Sequence, residues 1–447
     1  MKILQVIHSF PPYTTAGSEV YTYNLSTELA KKHEVSIFHR INDRYKKEYE
    51  AFHNNFNGLD IYTINNTFRL CNSFEMIYDN DIITKKFADI LDEIKPDIVH
   101  IQHLLFLSTT IVKEIKCRDI PIIYTLHDYW LICPQGQLLK RNFKICNTYR
   151  DLDCVDCQVY QLSIKKGIKK IYCALYKIMP DLTRFFKKIY LYFANSFLLS
   201  SKNAIEKINT RSRHIKSMCD LVDVFIAPSQ FLRQKFINSG IINPAKIIFS
   251  PYGFNRKLFE NLKKTDSNSK IRFAYIGTLL PHKGVDVLIK AFNRINSDRV
   301  ELNIYGKLYP YVGFEYYPRY LKKLAKNKNI KFRRSFDNDN IANIFANTDV
   351  LIVPSIWPEN SPLVIHEAFL AKTPVIASDI GGNPELVSHN VNGLLFRAND
   401  EKGLYNKIKL IIDRPTYIDE LSQNTPAIKT IEENTEELEK IYTKLTG

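Results

Sequence analysis

The stretch Ile271-Arg-Phe-Ala-Tyr-Ile-Gly277-Thr-Leu-Leu-Pro-His-Lys283-Gly284 decides the fold class of this 447-residue chain. An apolar run ends in a glycine and a helical pattern begins near Gly284, which predicts a buried strand, a tight turn and a helix. Gly277 lets a ligand approach the backbone, and the helix directs free N–H groups toward the turn. Because Lys283 adds a positive charge, the turn is a candidate diphosphate site. The alternative is an ordinary strand–helix turn with a solvated lysine.

The same alternation of strand and helix extends over most of the chain. Apolar residues at helical spacing predict helices at Ser18–Lys31 and Ile82–Ile94, and short apolar runs predict strands. The predicted strands are Lys2–Ile7, Val35–His39, Ile98–Ile101, Ile120–Thr125, Asp223–Ala227, Ile247–Phe249, Ile271–Ile276, Val300–Tyr305, Ile330–Arg333, Val350–Val353 and Pro374–Ser378. Strands that alternate with helices form parallel sheets, so the predicted class is α/β.

Length and interruptions of this pattern predict the domain boundaries. A chain of 447 residues exceeds one ordinary core, so two domains are expected. We place the first domain at 1–218, with a cysteine-containing and basic helical insertion at about 133–215. The second domain is placed at 219–425. A terminal helix is predicted at 426–447, which either stays with the second domain or crosses back to the first.

Two glutamates mark a second candidate site in Trp357-Pro-Glu359-Asn-Ser-Pro-Leu-Val-Ile-His-Glu367, directly after a predicted strand. Ligands of open α/β sheets bind at the carboxyl ends of strands. Glu367, inside a predicted helix, can accept both hydroxyls of a ribose, and Glu359 can reach a sugar hydroxyl. Backbone groups near Ser361 and Leu363 lie where a phosphate could dock. The alternative is two glutamates that merely flank a helix.

A third motif, Pro374-Val-Ile-Ala-Ser378-Asp-Ile-Gly381-Gly382-Asn-Pro-Glu385, places a double glycine after a strand. In this order the three motifs resemble the C-terminal donor-site signature of the family 4 retaining glycosyltransferases. Phe10-Pro11-Pro12-Tyr-Thr-Thr-Ala-Gly17-Ser-Glu resembles the glycine loop of that family. The resemblance covers roughly residues 1–135 and 220–445. It implies the GT-B fold, in which two Rossmann-like, doubly wound parallel-sheet domains face a central cleft.

The resemblance also implies roles for residues of the second domain. Lys283 would contact the donor diphosphate, and Gly277 and Thr278 would lie in the same donor loop. Glu367 would hold the ribose, while Glu359 would engage the transferred sugar or a nearby phosphate. Ser361 and Leu363 complete this donor-binding set.

In the first domain, the resemblance implies that Gly17 offers its backbone to the phosphate. His127, in Thr125-Leu-His127-Asp128-Tyr-Trp, would be the catalytic histidine on the sugar side, with Asp128 beside it on the acceptor side. A lone histidine in such a position is otherwise more often structural. One departure lies in the donor loop, where Thr278 replaces the arginine common in the family. A second phosphate partner is then missing or supplied by His282 or Arg272.

These residues predict a retaining, hexosyl-type glycosyltransferase that moves a sugar from a nucleotide sugar to a glycan or lipid-linked acceptor. The expected setting is bacterial-type surface polysaccharide synthesis, of lipopolysaccharide or capsule. A nucleotide-sugar epimerase, a phosphorylase, and a non-catalytic nucleotide-sugar or membrane-binding protein remain alternatives. Since no Asp-x-Asp stands at a predicted strand end, no catalytic metal is expected. The sequence leaves the donor base, the sugar, the acceptor and the oligomeric state open.

Basic residues are concentrated in one part of the chain, whose formal net charge is +15. Residues 158–218 contain thirteen Lys or Arg and two Asp or Glu. Basic helices with aromatic residues bind anionic membrane interfaces, which would suit a lipid-linked acceptor. A solvated basic hairpin is the alternative, and nucleic acid is unlikely because no nucleic-acid-binding module accompanies the charge. Without a signal peptide or membrane span, the expected location is cytoplasmic, peripheral at the inner face of the plasma membrane.

Four cysteines follow the His-Asp-Tyr-Trp motif, and some members of the resembled family carry a similar set. Their spacing ends in a Cys-x2-Cys knuckle, which is typical of structural zinc sites. Buried thiols and a redox or disulfide role are the alternatives. The predicted ligands are Cys133, Cys146, Cys154 and Cys157.

Overall fold

The computed structural model of the chain describes residues 1–71, 73–147, 152–158, 202–265, 270–308, 314–333 and 340–447. The chain forms two compact units. The first comprises Met1–Pro228, Leu232–Ser250 and Thr435–Gly447, and the second comprises Ser229–Phe231 and Pro251–Asn434.

Among its described residues, the first unit contains an eight-stranded sheet in the order β3-β4-β2-β1-β5-β6-β7-β8. Pairing in this sheet is parallel apart from the antiparallel pair β3 and β4. The strands are β1 (Lys2–Ile7), β2 (Glu34–Ile41), β3 (Ala51–Phe56), β4 (Leu59–Asn65), β5 (Ile98–Ile101), β6 (Ile122–Thr125), β7 (Val224–Ala227) and β8 (Ile247–Phe249).

The second unit contains, in its described part, a six-stranded parallel sheet in the order β11-β10-β9-β12-β13-β14. Its strands are β9 (Ile271–Ile276), β10 (Val300–Tyr305), β11 (Ile330–Arg333), β12 (Val350–Val353), β13 (Val375–Ser378) and β14 (Gly393–Phe396). The central strand β12 is buried along its whole length, which explains its uninterrupted apolar sequence. This strand order, with the unit's first strand in the middle, is that of a doubly wound Rossmann-like domain.

Helices connect most of these strands, as the sequence pattern predicts. They are α1 (Gly17–Leu29), α2 (Asp81–Ile94), α3 (Ile111–Lys116), α4 (Leu152–Cys157), α5 (Lys202–Leu221), α6 (Gln230–Ser239), α7 (Val285–Asn293), α8 (Tyr317–Leu324), α9 (Ile341–Ala346), α10 (Leu363–Leu370), α11 (Asn383–Leu386), α12 (Glu401–Asp413), α13 (Tyr417–Gln423) and α14 (Ile431–Thr446).

Each sheet has a switch point, where the strand order reverses and the connections leave toward opposite faces. In the second unit this point lies between β9 and β12, and in the first unit between β1 and β5. A crevice forms there beyond the carboxyl ends of the strands, and ligands of such sheets bind in it. The loops after β9 and β12 hold the residues that the sequence singles out for the donor.

The basic segment of the sequence falls largely on residues 159–201, which lie outside the described residues. In the described helix α5, three basic side chains pair with carboxylates at 2.5–3.6 Å: Lys207 with Glu75, Arg213 with Glu206, and Lys216 with Asp220. Arg211 is 2% exposed and donates to the Trp130 carbonyl. Over the described ranges, none of the helices combines the length and apolar character needed to cross a bilayer.

Candidate active site

The turn after β9 is packed against the end of β12 through Gly284. This residue has φ 68°, in the left-handed region that favours glycine, and a Cβ there would lie 1.9 Å from the Pro354 carbonyl oxygen. The Ile356 N–H donates to the His282 carbonyl at 2.9 Å across the same contact. Lys283 is therefore fixed beside the loop that follows β12.

Lys283 and Glu359 form a close ion pair at this switch point. Lys283 Nζ lies 2.7 Å from Glu359 Oε1, and the Ser355 hydroxyl donates to the same oxygen at 2.5 Å. The ammonium also lies 5.1 Å from the centre of the Trp357 ring. Burial alone would raise the pKa of Glu359, which is 5% exposed. The charge of Lys283 and the hydrogen bonds outweigh burial and lower that pKa, so the carboxylate stays ionised.

The double glycine of the third motif supports the loop that carries Glu359. A Cβ on Gly382 would lie 1.7 Å from the Asn360 carbonyl oxygen, and one on Gly381 would lie 2.3 Å from the Glu359 carbonyl oxygen. The Gly382 N–H donates to that Glu359 carbonyl at 2.7 Å. Glycine is required here because two backbone segments touch, so the motif positions the glutamate.

Glu367 lies within α10, eight positions after Glu359, and is half-buried. Within the described residues its carboxyl group makes no hydrogen bond or ion pair, and it does not contact Lys283 directly. Burial raises the pKa of Glu367 to about 7. A carboxyl group with vacant acceptor positions at the end of a sheet suits a hydroxyl-bearing ligand.

The remaining predicted donor residues lie in the turn after β9 and in the segment after β12. Leu363 begins α10, whose first N–H groups form an anion-compatible end. Ser361 Oγ lies 2.8 Å from His366 Nε2, so this hydroxyl already has a partner. The Gly277 N–H donates to the Tyr305 carbonyl at 3.0 Å, and the Thr278 carbonyl accepts from the Tyr275 hydroxyl at 2.7 Å. Both bonds fix the turn after β9.

Arg272 does not fit the expectation that it substitutes for the missing arginine of the donor loop. It lies at the opposite end of β9, where its guanidinium makes bonds of 3.1 and 2.7 Å to Asp349. His282 is adjacent to the site, but burial lowers its pKa to about 3, so it is a neutral group packed edge-on to Trp357.

The predicted residues Gly17, His127 and Asp128 belong to the first unit. Gly17 is the exposed first residue of α1. His127 Nε2 lies 2.8 Å from Gln102 Oε1, and burial lowers the His127 pKa well below its ordinary value. Asp128 accepts from the Trp130 N–H at 2.7 Å and lies 3.2 Å from His103 Nε2, which anchors a turn.

A pair at the other switch point was missed by the sequence analysis. His8 follows β1, and its Nε2 lies 3.4 Å from the buried carboxylate of Glu19 near the start of α1. Glu19 also accepts from the hydroxyls of Thr14 and Ser18. A polar residue directly after a buried strand was the available signal. Ser355 was missed as a partner of Glu359, although it follows β12 in the same way.

The four predicted zinc ligands all belong to the first unit. Cys133, Cys146 and Cys154 are buried, and burial raises the pKa of the Cys157 thiol to about 11, with a further contribution from Cys133. Within the described ranges, however, no three His, Cys, Asp or Glu side chains are arranged to hold a metal ion. The residues share a location without showing a coordination geometry, so zinc stays a prediction.

Two sequence profiles match the chain over most of its length. The profile described as Glycosyltransferase Family 4 matches residues 15–155, and the one described as Glycosyl transferases group 1 matches residues 258–427. The chain is built from two glycosyltransferase domains. The second match contains Lys283, Glu359 and Glu367, so the paired lysine and the free carboxyl group belong to the group 1 domain.

Relatives and solved structures agree with this assignment. An uncharacterized 42.6 kDa protein in the cps region of Klebsiella pneumoniae is 25% identical over 401 residues, covering 86% of this chain and 87% of the relative. Sucrose-phosphate synthase from Thermosynechococcus elongatus has a TM-score of 0.67 at 16% identity, covering 99% and 98%. Anabaena HepE in complex with UDP and glucose has a TM-score of 0.65 at 17% identity, covering 99% of each chain. The predicted GT-B fold is confirmed.

Proposed function

We propose that the chain is a retaining glycosyltransferase that moves a hexosyl group from a nucleoside-diphosphate sugar to a glycan or lipid-linked acceptor. The observation that carries this proposal is the Lys283–Glu359 pair of 2.7 Å at the switch point of the group 1 domain. UDP and glucose bound to HepE support a nucleotide-sugar donor, and the cps-region relative supports a role in surface polysaccharide synthesis.

In this proposal, Lys283 stabilises the diphosphate as it leaves. Breaking the bond between the anomeric carbon and the phosphate oxygen transfers the electron pair to that oxygen, where negative charge grows. A fixed ammonium and the N-termini of α7 and α10 stabilise the charge where it develops. These groups would take the place of a divalent metal. Glu359 keeps the ammonium in position, and Glu367 accepts hydrogen bonds from the ribose hydroxyls.

Retention of configuration requires the acceptor to attack the face that the diphosphate leaves. The acceptor hydroxyl oxygen forms the new bond to the anomeric carbon, which has oxocarbenium character in the transition state. The hydroxyl proton passes to the departing phosphate oxygen, so no protein nucleophile is needed. His127, with its low pKa, acts in this scheme as a neutral hydrogen-bonding group on the sugar side.

A donor screen tests the proposal. We expect one of the UDP-, GDP-, ADP- or dTDP-sugars to raise the melting temperature, because a ligand that binds only the folded protein stabilises it. Transfer should then be measured with that donor, with EDTA present, and the anomeric configuration of the product determined by NMR. Turnover of the donor without an acceptor would favour an epimerase, and a need for inorganic phosphate without nucleotide would favour a phosphorylase.

Matched variants distinguish the loss of a catalytic-site contact from a general loss of folding. Glu367→Ala should abolish transfer and leave folding intact. Lys290→Ala is the control, because Lys290 pairs with Asp286 at 3.0 Å on the surface of α7 in the same domain. Equal activity of Glu367→Ala and Lys290→Ala would contradict the role given to Glu367.

We also place the enzyme at the cytoplasmic face of an anionic membrane. The basic side chains of α5 largely pair with groups of the protein itself. The proposal is therefore supported by the basic residues in the sequence of 159–201. Sedimentation with phosphatidylglycerol vesicles, compared with phosphatidylcholine vesicles, tests it. Binding that depends on the anionic lipid and weakens with salt is expected; equal recovery with both vesicles would contradict it.

A further inference from the structure

Arg40, at the carboxyl end of β2, is a cation with few partners among the described residues of the first unit. Its Nη1 donates to the Asn66 carbonyl at 3.1 Å, while its Nε is sealed from solvent and has no hydrogen-bond partner among the residues that the structure describes. In the part of the chain that the structure describes, no carboxylate pairs with it. Burial alone lowers the pKa of Arg40 to about 10, so the guanidinium remains charged. Arg40 is half-buried. A guanidinium has five donor N–H groups, and partial removal of its charge from water without a counterion has a cost.

The surroundings of Arg40 form an ordered cradle around the guanidinium. The rings of Phe68 and Phe106 have their centres 5.4 and 4.8 Å from its central carbon. Asn66, which is 1% exposed, fixes both: its Nδ2 donates to the Phe106 carbonyl at 3.0 Å, and its Oδ1 accepts from the Phe68 N–H at 3.1 Å. One buried asparagine thus binds the arginine and both aromatic residues that flank it.

The two phenylalanines adopt an unfavourable backbone conformation to hold these positions. Phe68 has φ 62° and Phe106 has φ 63°, in the left-handed region that side chains with a Cβ rarely occupy. Such strain persists where the surrounding structure fixes it, and it concentrates at ligand sites. A purely structural arginine that satisfies one carbonyl would not require two strained aromatic neighbours.

The position of the cradle favours a ligand at the carboxyl edge of the sheet. Arg40 is the penultimate residue of β2, Phe68 follows β4 and Phe106 follows β5, around the switch point between β1 and β5. Nearby His8 has a pKa well below its ordinary value because of burial and the charges of His103 and Arg40. Its imidazole is therefore neutral and adds no second positive charge beside Arg40.

We propose that Arg40 receives an oxyanion, phosphate or carboxylate, carried by the acceptor. Both groups match the planar fork of a guanidinium, which binds them through two parallel hydrogen bonds. Because Nε is sealed from solvent, the two Nη groups would donate these bonds. This inference rests on the proposed function, because it names a group on the acceptor of that reaction. It predicts that the enzyme discriminates strongly against acceptors that lack the charge.

Phosphate binding by the full chain tests the assignment. We would titrate inorganic phosphate, and in a second arm glucuronate, at constant ionic strength into Lys283→Ala, which removes the donor-side ammonium. One anion should bind per chain. Whichever of phosphate and glucuronate binds more tightly identifies the charged group on the acceptor. Adding Arg40→Gln should weaken binding at least tenfold, and Arg40→Lys, which keeps the charge but loses the fork, should weaken it less. Arg213→Gln removes an exposed arginine and should change binding less than twofold.

The outcomes separate this inference from the proposed function. Nucleoside diphosphate binding to Arg40→Gln with Lys283 intact should be unchanged, since it reports on the other domain. If no nucleotide binds the wild-type chain, the proposed function fails independently of the Arg40 result. If Arg40→Gln does not fold, Arg40→Lys and Phe106→Leu decide the question by their phosphate affinities. Binding of neither anion, or equal binding by the Arg40 and Arg213 variants, would overturn the inference.

Discussion

Lys283 Nζ and Glu359 Oε1 lie 2.7 Å apart, so a buried carboxylate holds the Lys283 ammonium of the group 1 domain in place. A lysine ammonium has three donors, and the bond to Glu359 uses one of them. The side chain of Lys283 is 25% exposed, whereas that of Glu359 is 7% exposed. The exposed side of the ammonium can therefore donate to a diphosphate without breaking the ion pair. Because the pair already fixes the Lys283 side chain, that side chain needs little rearrangement when the diphosphate binds.

Removing Lys283 alone should destabilise the domain more than removing the whole pair. Lys283→Ala leaves the Glu359 carboxylate buried without its counterion, a change that costs about 1–3 kcal/mol of the free energy of unfolding. Adding Glu359→Gln should recover part of this loss, because the amide carries no charge. Urea unfolding of the single and double variants measures the coupling, and strictly additive losses would show that the two groups do not interact.

Donor affinity should depend on pH through Glu367. Its pKa is raised to about 7, so below pH 7 the ligand-free protein holds a proton on this carboxyl group. If the ribose hydroxyls donate to the carboxylate, binding must release that proton, and affinity should fall up to about tenfold per pH unit below 7. Calorimetric titration of the nucleoside diphosphate between pH 5.5 and 8.5 measures this. Glu367→Gln should bind more weakly at pH 8 and show a flatter profile; an unchanged slope would assign the proton to another group.

The sequence predicted the parallel strands well, because they are apolar runs bounded by turn residues. Lys2–Ile7, Ile271–Ile276 and Val300–Tyr305 match the observed strands residue for residue. Three strands were missed: Ala51–Phe56, Leu59–Asn65 and Gly393–Phe396. The first is exposed along much of its length and carries His-Asn-Asn in its middle, so it lacks a strand's apolar pattern.

Contacts between distant residues were harder to predict than the strands. The motifs identified Lys283 and Glu359 separately, but only the order β9-β12 brings the two loops together. Arg40 and its cradle were missed for the same reason: Arg40 lies on β2, Asn66 and Phe68 follow β4, and Phe106 follows β5. Local patterns show which residues are polar at strand ends, and the strand order decides which of them meet.

Gly284→Ala should lower stability and nucleoside diphosphate binding more than the same substitution at another glycine with a left-handed backbone. A methyl group there would lie 1.9 Å from the Pro354 carbonyl, so the turn carrying Lys283 must shift. Gly240→Ala is the matched control, since Gly240 also has a left-handed φ of 67° but a Cβ added there would meet no other atom of the described residues within 4 Å. The control should lose about 1–2 kcal/mol from the left-handed backbone alone. Gly284→Ala should lose more and bind nucleoside diphosphate more weakly; equal losses would mean that the contact with Pro354 is unimportant.

The four cysteines of the first unit make the zinc content of the protein a testable property. We propose one structural zinc held by Cys133, Cys146, Cys154 and Cys157, since their spacing suits zinc and the charges of Cys133 and Cys146 act on Cys157. Purified protein should contain about one zinc per chain by elemental analysis, and a chelator should lower its melting temperature, because structural zinc contributes to folding. Cys154→Ser should lose the metal, whereas Cys117→Ser, which changes an exposed cysteine after α3, should retain it. Wild-type protein that carries no zinc and is indifferent to the chelator would leave buried thiols as the correct interpretation.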